Sequence, residues 1–187
     1  MKTLERLLIG AFLCSGLGLG LGVSAAQQYS MHAQDRPVTL VAGIGDAHHP
    51  VSTQNPQAQQ FFDQGLRFIY AFNHDEAARS FRHATELDPK LAMAYWGVAE
   101  AVGPNYNDPA DPERYKRAHE AVQRAVDLSP TASPSDQAYI QAMAKRFPAD
   151  SKSDLRKAAE DYRDAMRQVV SEFPEIWMRQ RCLPKPA

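Results

Sequence analysis

Between Ala58 and Leu91 apolar residues fall at three- and four-residue steps in two successive runs, with polar residues between them. Phe61, Gly65, Phe68 and Phe72 mark one face of an α-helix, and Ala77, Phe81, Ala84 and Leu87 mark a second. Asn73-His74-Asp75-Glu76 splits the two runs, and Asp88-Pro89 stops the second. So short a break predicts a helical hairpin. Gly65 and Ala77, twelve residues apart, let the paired helices approach closely, while Phe68 and Phe81 fill the space beside them.

The pattern returns from Ala92. Tyr95, Trp96, Val98, Ala99 and Val102 predict a helix ending at Gly103-Pro104, with Gly as its cap. Asp111-Pro112-Glu113 opens its partner, with proline at the first helical position. Ala118, Val122, Ala125 and Pro130 then repeat the spacing of Ala77, Phe81, Ala84 and Pro89. From Ala99 to Ala118 is nineteen residues against twelve from Gly65 to Ala77, so seven are inserted in the loop Pro104 to Pro109. In a third pair, Ser133-Pro134-Ser135-Asp136 has the capping-box form and opens a helix through Tyr139, Met143 and Phe147, ended by Pro148. Ser153 caps the last, which runs through Ala158, Tyr162, Ala165, Met166 and Val169 to Phe173 and Pro174. Upstream, residues 27–56 hold no period. Their apolar run Val38 to Ile44 reads as one strand or as an extended tail on the first helix, partly ordered at best.

Counted from Ala58, an aromatic at position 4, Gly at 8, an aromatic at 11, Ala at 20, Phe at 24, Ala at 27 and Pro at 32 stand in register. This resembles a tetratricopeptide repeat, a helix-turn-helix unit of ~34 residues. The resemblance implies an all-α, right-handed solenoid over residues 57–174: one repeat at 58–91, a second at 92–132 with its turn insertion, and a degenerate third at 133–174. Three stacked pairs are near the minimum for stability, since each buries its apolar face only against its neighbours. On the repeat template, positions 5, 9, 12 and 13 of each first helix face the concave side. Here these are Phe62, Leu66, Ile69 and Tyr70, then Trp96, Glu100, Gly103 and Pro104.

More narrowly, His48 to Asn107 resembles exported bacterial repeat proteins of unassigned role, through HHPVST, GLRFIYAFNHDEA, AMAYWG and GPNYN. Members of that group carry cysteines around the Ala-Met pair and several hundred further residues. Here Leu91 and Ala94 occupy the cysteine positions, so a thiol or metal role in the group does not carry over.

Residues 1–26 read as an export signal: Lys2 and Arg6, a Gly-rich apolar stretch Leu7 to Val23, and small residues at Ser24-Ala25-Ala26. The apolar core is short for a stable span, so cleavage and a periplasmic or secreted product are expected, with membrane contact only through the leader. Residues 175–187 lose the helical period. With one base inserted after the Glu175 codon, a suitable choice of codons reads as an Ala-rich amphipathic helix. The tail is therefore expected to be a frameshift in a longer array, the alternative being a natural short gene.

Charge and composition narrow the function. A formal charge of −1, with no basic run, gives no reason to expect nucleic acid as a partner. The two cysteines, Cys14 and Cys182, lie near opposite ends, so no disulfide framework is available to the body of the chain. No Ser-His-Asp arrangement, phosphate-binding loop or CxxC occurs, and no cofactor is expected. Asp111 and Glu113 sit at a helix start, where the helix dipole accounts for them. A non-catalytic scaffold that binds a protein or peptide along Phe62, Leu66, Ile69, Tyr70, Trp96 and Glu100 is the expected function. Phe62 and Trp96 have a second reading, burial against a preceding segment or a further helix. Chaperone-docking repeats hold a peptide carboxylate with Lys and Asn at positions 5 and 9, a mode that Phe62 and Leu66 exclude. The alternatives are a metal or enzymatic site built from His48, His49 and His74, which needs the preceding loop to fold back near Asp75, and a nonfunctional fragment of a larger repeat protein.

Overall fold

Every apolar periodicity in the sequence becomes an α-helix. The computed structural model describes residues 36–105, 111–149 and 154–174, which, Arg36 apart, belong to one compact unit beginning at Pro37. Among them are α1 (Pro56–Tyr70), α2 (His74–Leu87), α3 (Ala92–Val102), α4 (Pro112–Leu128), α5 (Pro134–Arg146) and α6 (Leu155–Glu172), with a 3-10 turn at Ser129–Thr131 and no β-strand. The leader, the Cys14 and Cys182 positions, most of the inserted loop and the 175–187 tail lie outside the described residues.

Helix starts follow local side-chain chemistry. Asn55, Asn73, Asp111 and Ser133 each turn a side-chain oxygen onto first-turn amides that have no intrahelical partner. The last helix departs from expectation: Asp154, not Ser153, is its cap, accepting from the amides of Arg156 and Lys157. Gly103 also caps α3 for a different reason. Its φ of −65° is open to any residue, but a Cβ there would sit 2.4 Å from Phe147 Cζ and 2.9 Å from the Ala99 carbonyl. Two bonds from Arg114, Nε to the Val102 carbonyl at 3.0 Å and Nη2 to that of Gly103 at 3.3 Å, satisfy the end of α3.

Each helix packs on the next, and in addition α1 touches α3 and α3 touches α5. The short link Ala71–Asn73 turns α2 back along α1. α3 is apolar nearly all round, as a helix buried among four others must be. The core is built twice on one spacing: Ala77, Phe81 and Ala84 of α2 and Ala118, Val122 and Ala125 of α4 are all fully buried. Phe81 is the wedge of the first set. A Cβ on Gly65 of α1 would lie 2.5 Å from its ring, and one on Gly97 of α3 only 2.4 Å. A smaller cluster, Ala142 with Ala165 and Val169, holds α5 to α6.

Phe72 does not belong to the face of α1. The helix ends at Tyr70, and Phe72 follows in the left-handed region at φ 57°, with 77 % of its surface exposed. Its amide donates to the Ile69 carbonyl at 3.0 Å and that of Asn73 to Phe68 at 2.9 Å, a Schellman end with phenylalanine where glycine is usual.

Residues 37–55 form no regular element and run as a strap along α1, while residues 27–35 of the same segment lie outside the described residues. Gln64 fixes one stretch, accepting from the Val41 amide at 2.7 Å and donating to the Thr39 carbonyl at 3.1 Å. Arg67 Nε reaches the Ala47 carbonyl at 3.0 Å, Gln59 accepts from the Val51 amide, and Thr53 Oγ1 donates to Asp88. Val38, Ile44 and Val51 pack on the core beneath. Polar side chains of α1 thus supply the hydrogen bonds that a neighbouring strand would otherwise give the strap.

Candidate functional site

The strap, α1, α3, α5 and α6 meet around a cleft of about 210 Å³. From α1 come Phe62, Leu66, Ile69 and Tyr70, and from α3 Met93, Trp96 and Glu100. The strap adds His49, α5 adds Tyr139, and α6 adds Tyr162 and Met166. The six residues expected to form a binding face therefore share one cavity wall. Gly103, expected beside them, instead lies under Phe147, and the Pro104 carbonyl accepts from Arg146 Nη2 at 2.9 Å.

Exposure differs sharply along that wall. Phe62 is fully buried, its ring 5.5 Å from that of Phe81 and 6.2 Å from that of His49, so it forms the floor. Tyr70 keeps 57 % of its surface exposed and forms the lip. Trp96 and His49 both meet Tyr139 edge-on at 6.2 Å. Such tilted and edge-to-face arrangements suit the ring quadrupoles, negative on the face and positive at the rim.

Glu100 is not a free charge. Arg146 Nη1 donates to its Oε2 at 2.6 Å, and the guanidinium lies 5.4 Å above the Tyr162 ring and 5.1 Å above that of Phe147. The three tyrosines that line the cleft hold their protons more firmly than tyrosine does in water. Burial pushes the Tyr162 phenol up to about 12, with help from the Glu100 carboxylate and against the pull of Arg146. Burial likewise raises Tyr139, seconded by Tyr70 and Asp136, and raises Tyr70, seconded by Glu100. All three are neutral hydroxyls at physiological pH, able both to donate and to accept.

His48 and His49 are placed by carboxylates that carry no site signal in the sequence. His48 Nδ1 lies 2.7 Å from Asp63 Oδ2, while Asp63 Oδ1 accepts from the His49 amide at 3.1 Å and from Gln59 Nε2 at 3.1 Å. His49 Nε2 lies 2.8 Å from Oδ1 of the fully buried Asp136. Asp136 Oδ2 and Trp96 Nε1 are buried and find no hydrogen-bond partner among the described residues. The capping box at Ser133 is thus half made: Ser133 Oγ accepts from the Asp136 amide at 3.2 Å, but the Asp136 carboxylate turns to His49. The loop does fold back, yet it does not bring His48, His49 and His74 together. His74 opens α2, and among the described residues no group of three or more His, Cys, Asp or Glu is placed to hold a metal ion.

Asp63, Asp136, Tyr139, Tyr162 and Met166 carry no site signal in the sequence, where the last four read only as helix-cap or helix-face positions, for one reason. Each occupies an ordinary position of an amphipathic helix, and only the packing of α1, α5 and α6 around α3 and the strap turns them to one cavity. No protein-family model, curated protein or solved structure matches the chain. Nor is any helix among the described residues long and apolar enough to cross a membrane.

Proposed function

We propose that the chain is a non-catalytic interaction scaffold of the bacterial cell envelope, a tetratricopeptide-type solenoid that holds a protein or peptide segment at the cleft between its first helices. The observation that carries this reading is the gathering of Phe62, Leu66, Ile69, Tyr70, Trp96 and Glu100 on one cavity wall with an exposed aromatic lip. The wall is apolar and aromatic, its one carboxylate is already paired, and its tyrosines are neutral. Buried aromatic anchors of this kind supply most of the free energy of peptide recognition. The cavity is smaller than the ~300 Å³ at which drug-sized ligand sites begin, and suits one large side chain of a longer partner. The repeat assignment is supported by the register of Gly65, Ala77, Phe81 and Ala84 and by helices that pack in sequence. Residues 1–26 support export.

Phe62 is unsuited to a binding test, because its removal would open the core. Tyr70 is suited, being largely outside it. Peptides selected from a displayed random library against the purified mature chain should bind at least about tenfold more weakly to Tyr70→Ser, equivalent to ~1.4 kcal/mol. Far-UV circular dichroism should be unchanged. Selected peptides that ignore Tyr70, or a library that yields none, would overturn the reading.

A further inference from the structure

The inference rests on the cleft being a peptide site and concerns which side chain it takes. His49 is the one nitrogen base in the wall, and Asp136 decides how it presents itself. An ionised carboxylate only accepts hydrogen bonds, so with Asp136 ionised the His49 Nε2, 2.8 Å from its Oδ1, carries the proton and donates it. In the neutral ring the lone pair then lies on Nδ1. Among the described residues nothing else bonds to the ring: the other His49 bonds are made by its backbone, the amide to Asp63 at 3.1 Å and the carbonyl to Gln59 at 2.9 Å. The side chain remains 11 % exposed and lines the cleft. The ring cannot turn over to reverse its nitrogens without breaking the bond to Asp136, a residue of the first turn of α5. An acceptor of set direction therefore stands in a cavity sized for one large side chain, whose other polar groups are three phenols, with hydroxyls that can rotate, and the Arg146-paired Glu100.

We infer that the cleft selects an aromatic side chain carrying a hydrogen-bond donor at its far end, a tyrosine or tryptophan of the partner peptide, over phenylalanine, with His49 Nδ1 as the acceptor and Asp136 as the residue that positions it. Phenylalanine would fill the same space but leave Nδ1 desolvated and unpaired, and a site built to pair a polar group rejects the analogue that lacks it. Phe62, Trp96 and Tyr139 supply ring contacts that all three aromatics would share, so the discrimination falls on the polar contacts, among which His49 Nδ1 is the acceptor of fixed direction.

The test uses the full mature chain and three blocked tripeptides, N-acetyl-Ala-Tyr-Ala-amide and its Trp and Phe counterparts. Long-range ¹H–¹⁵N spectra of the histidines report the tautomer directly and verify that the ring is neutral under the conditions used. The expected result is a His49 ring protonated on Nε2, an Nδ1 resonance that moves with the Tyr and Trp peptides but not with Phe, and binding of the first two at least about tenfold tighter. In His49→Phe the three peptides should bind within about twofold of one another. Should that variant fail to fold, the Nδ1 resonance of the wild-type chain decides alone. A proton on Nδ1, or equal binding of the Phe peptide with Nδ1 unmoved, overturns this inference and leaves the peptide site standing. Failure of all three to bind removes the site, and the inference with it.

Discussion

Phe72 illustrates how much one residue can hold against its own preference. A bulky side chain in the left-handed region costs about 1–2 kcal/mol relative to right-handed backbone, and with 77 % exposure Phe72 regains little of that by burial. Phe72→Gly should therefore raise stability, by up to about 1 kcal/mol once the greater freedom of glycine in the unfolded chain is subtracted. Urea denaturation measures it; a loss of stability would mean that the Phe72 ring makes contacts worth more than its strain. Tyr162 offers a second residue-level expectation. Its folded pKa, about 12, lies above the ordinary 10.0, so the fold favours the protonated phenol. The corresponding stability is complete below pH 10 and is lost as pH climbs from 10 towards 12, by roughly 2–3 kcal/mol in all. The difference in stability between the wild type and Tyr162→Phe should be level below pH 10 and narrow above it. If the gap stays constant across that range, the phenol is not held as described.

At the scale of elements, the fold depends on close approach at Phe81 and on the strap along α1. Alanine in place of Gly97 gains about 1 kcal/mol of helix propensity. The new Cβ would stand 2.4 Å from a fully buried ring that also abuts Gly65, and overpacking of that kind costs about 1–3 kcal/mol. Gly97→Ala should be destabilising by up to roughly 2 kcal/mol, and a gain in stability would show that Phe81 can move aside. Asp63 is the knot of the strap, accepting from His48, His49 and Gln59 at once. Asp63→Ala strands those donors, at about 1–3 kcal/mol. Hydrogen exchange should then quicken in residues 47–51 while the amides of α2 and α4 keep their protection. Unchanged exchange there would mean that Gln64 and Arg67 suffice to hold the strap.

The hairpins were legible in the sequence because helix formation and helix pairing are read from short-range periodicity and from capping residues near in the chain. Ala77, Phe81 and Ala84 announced a buried stripe, and their spacing at Ala118, Val122 and Ala125 announced its repeat; all six are fully buried. Boundaries shifted where two signals competed, as at Phe72, which continues the apolar period but follows the last helical turn, and at Asp154, which caps α6 from beside Ser153. The strap was the least legible element. Its path is set by Gln59, Asp63, Gln64 and Arg67, polar residues of α1 whose partners lie at separations of up to 25 residues.

For the molecule as a whole, sequence by itself determined that the described body of the chain is all-α, where its helices pair, and which face of α1 and α3 carries aromatic residues. These follow from periods of three and four residues and from turn chemistry, both local. Only the tertiary structure decided that α5 and α6 close the other side of that face, that Arg146 neutralises Glu100, and that His49 spans from the strap to Asp136, 87 residues away. No period encodes such contacts, because they depend on how far each helix is rotated and displaced against the next. Those angles are set by the volumes packed between the helices, Phe81 against Gly65 and Gly97, and Phe147 against Gly103.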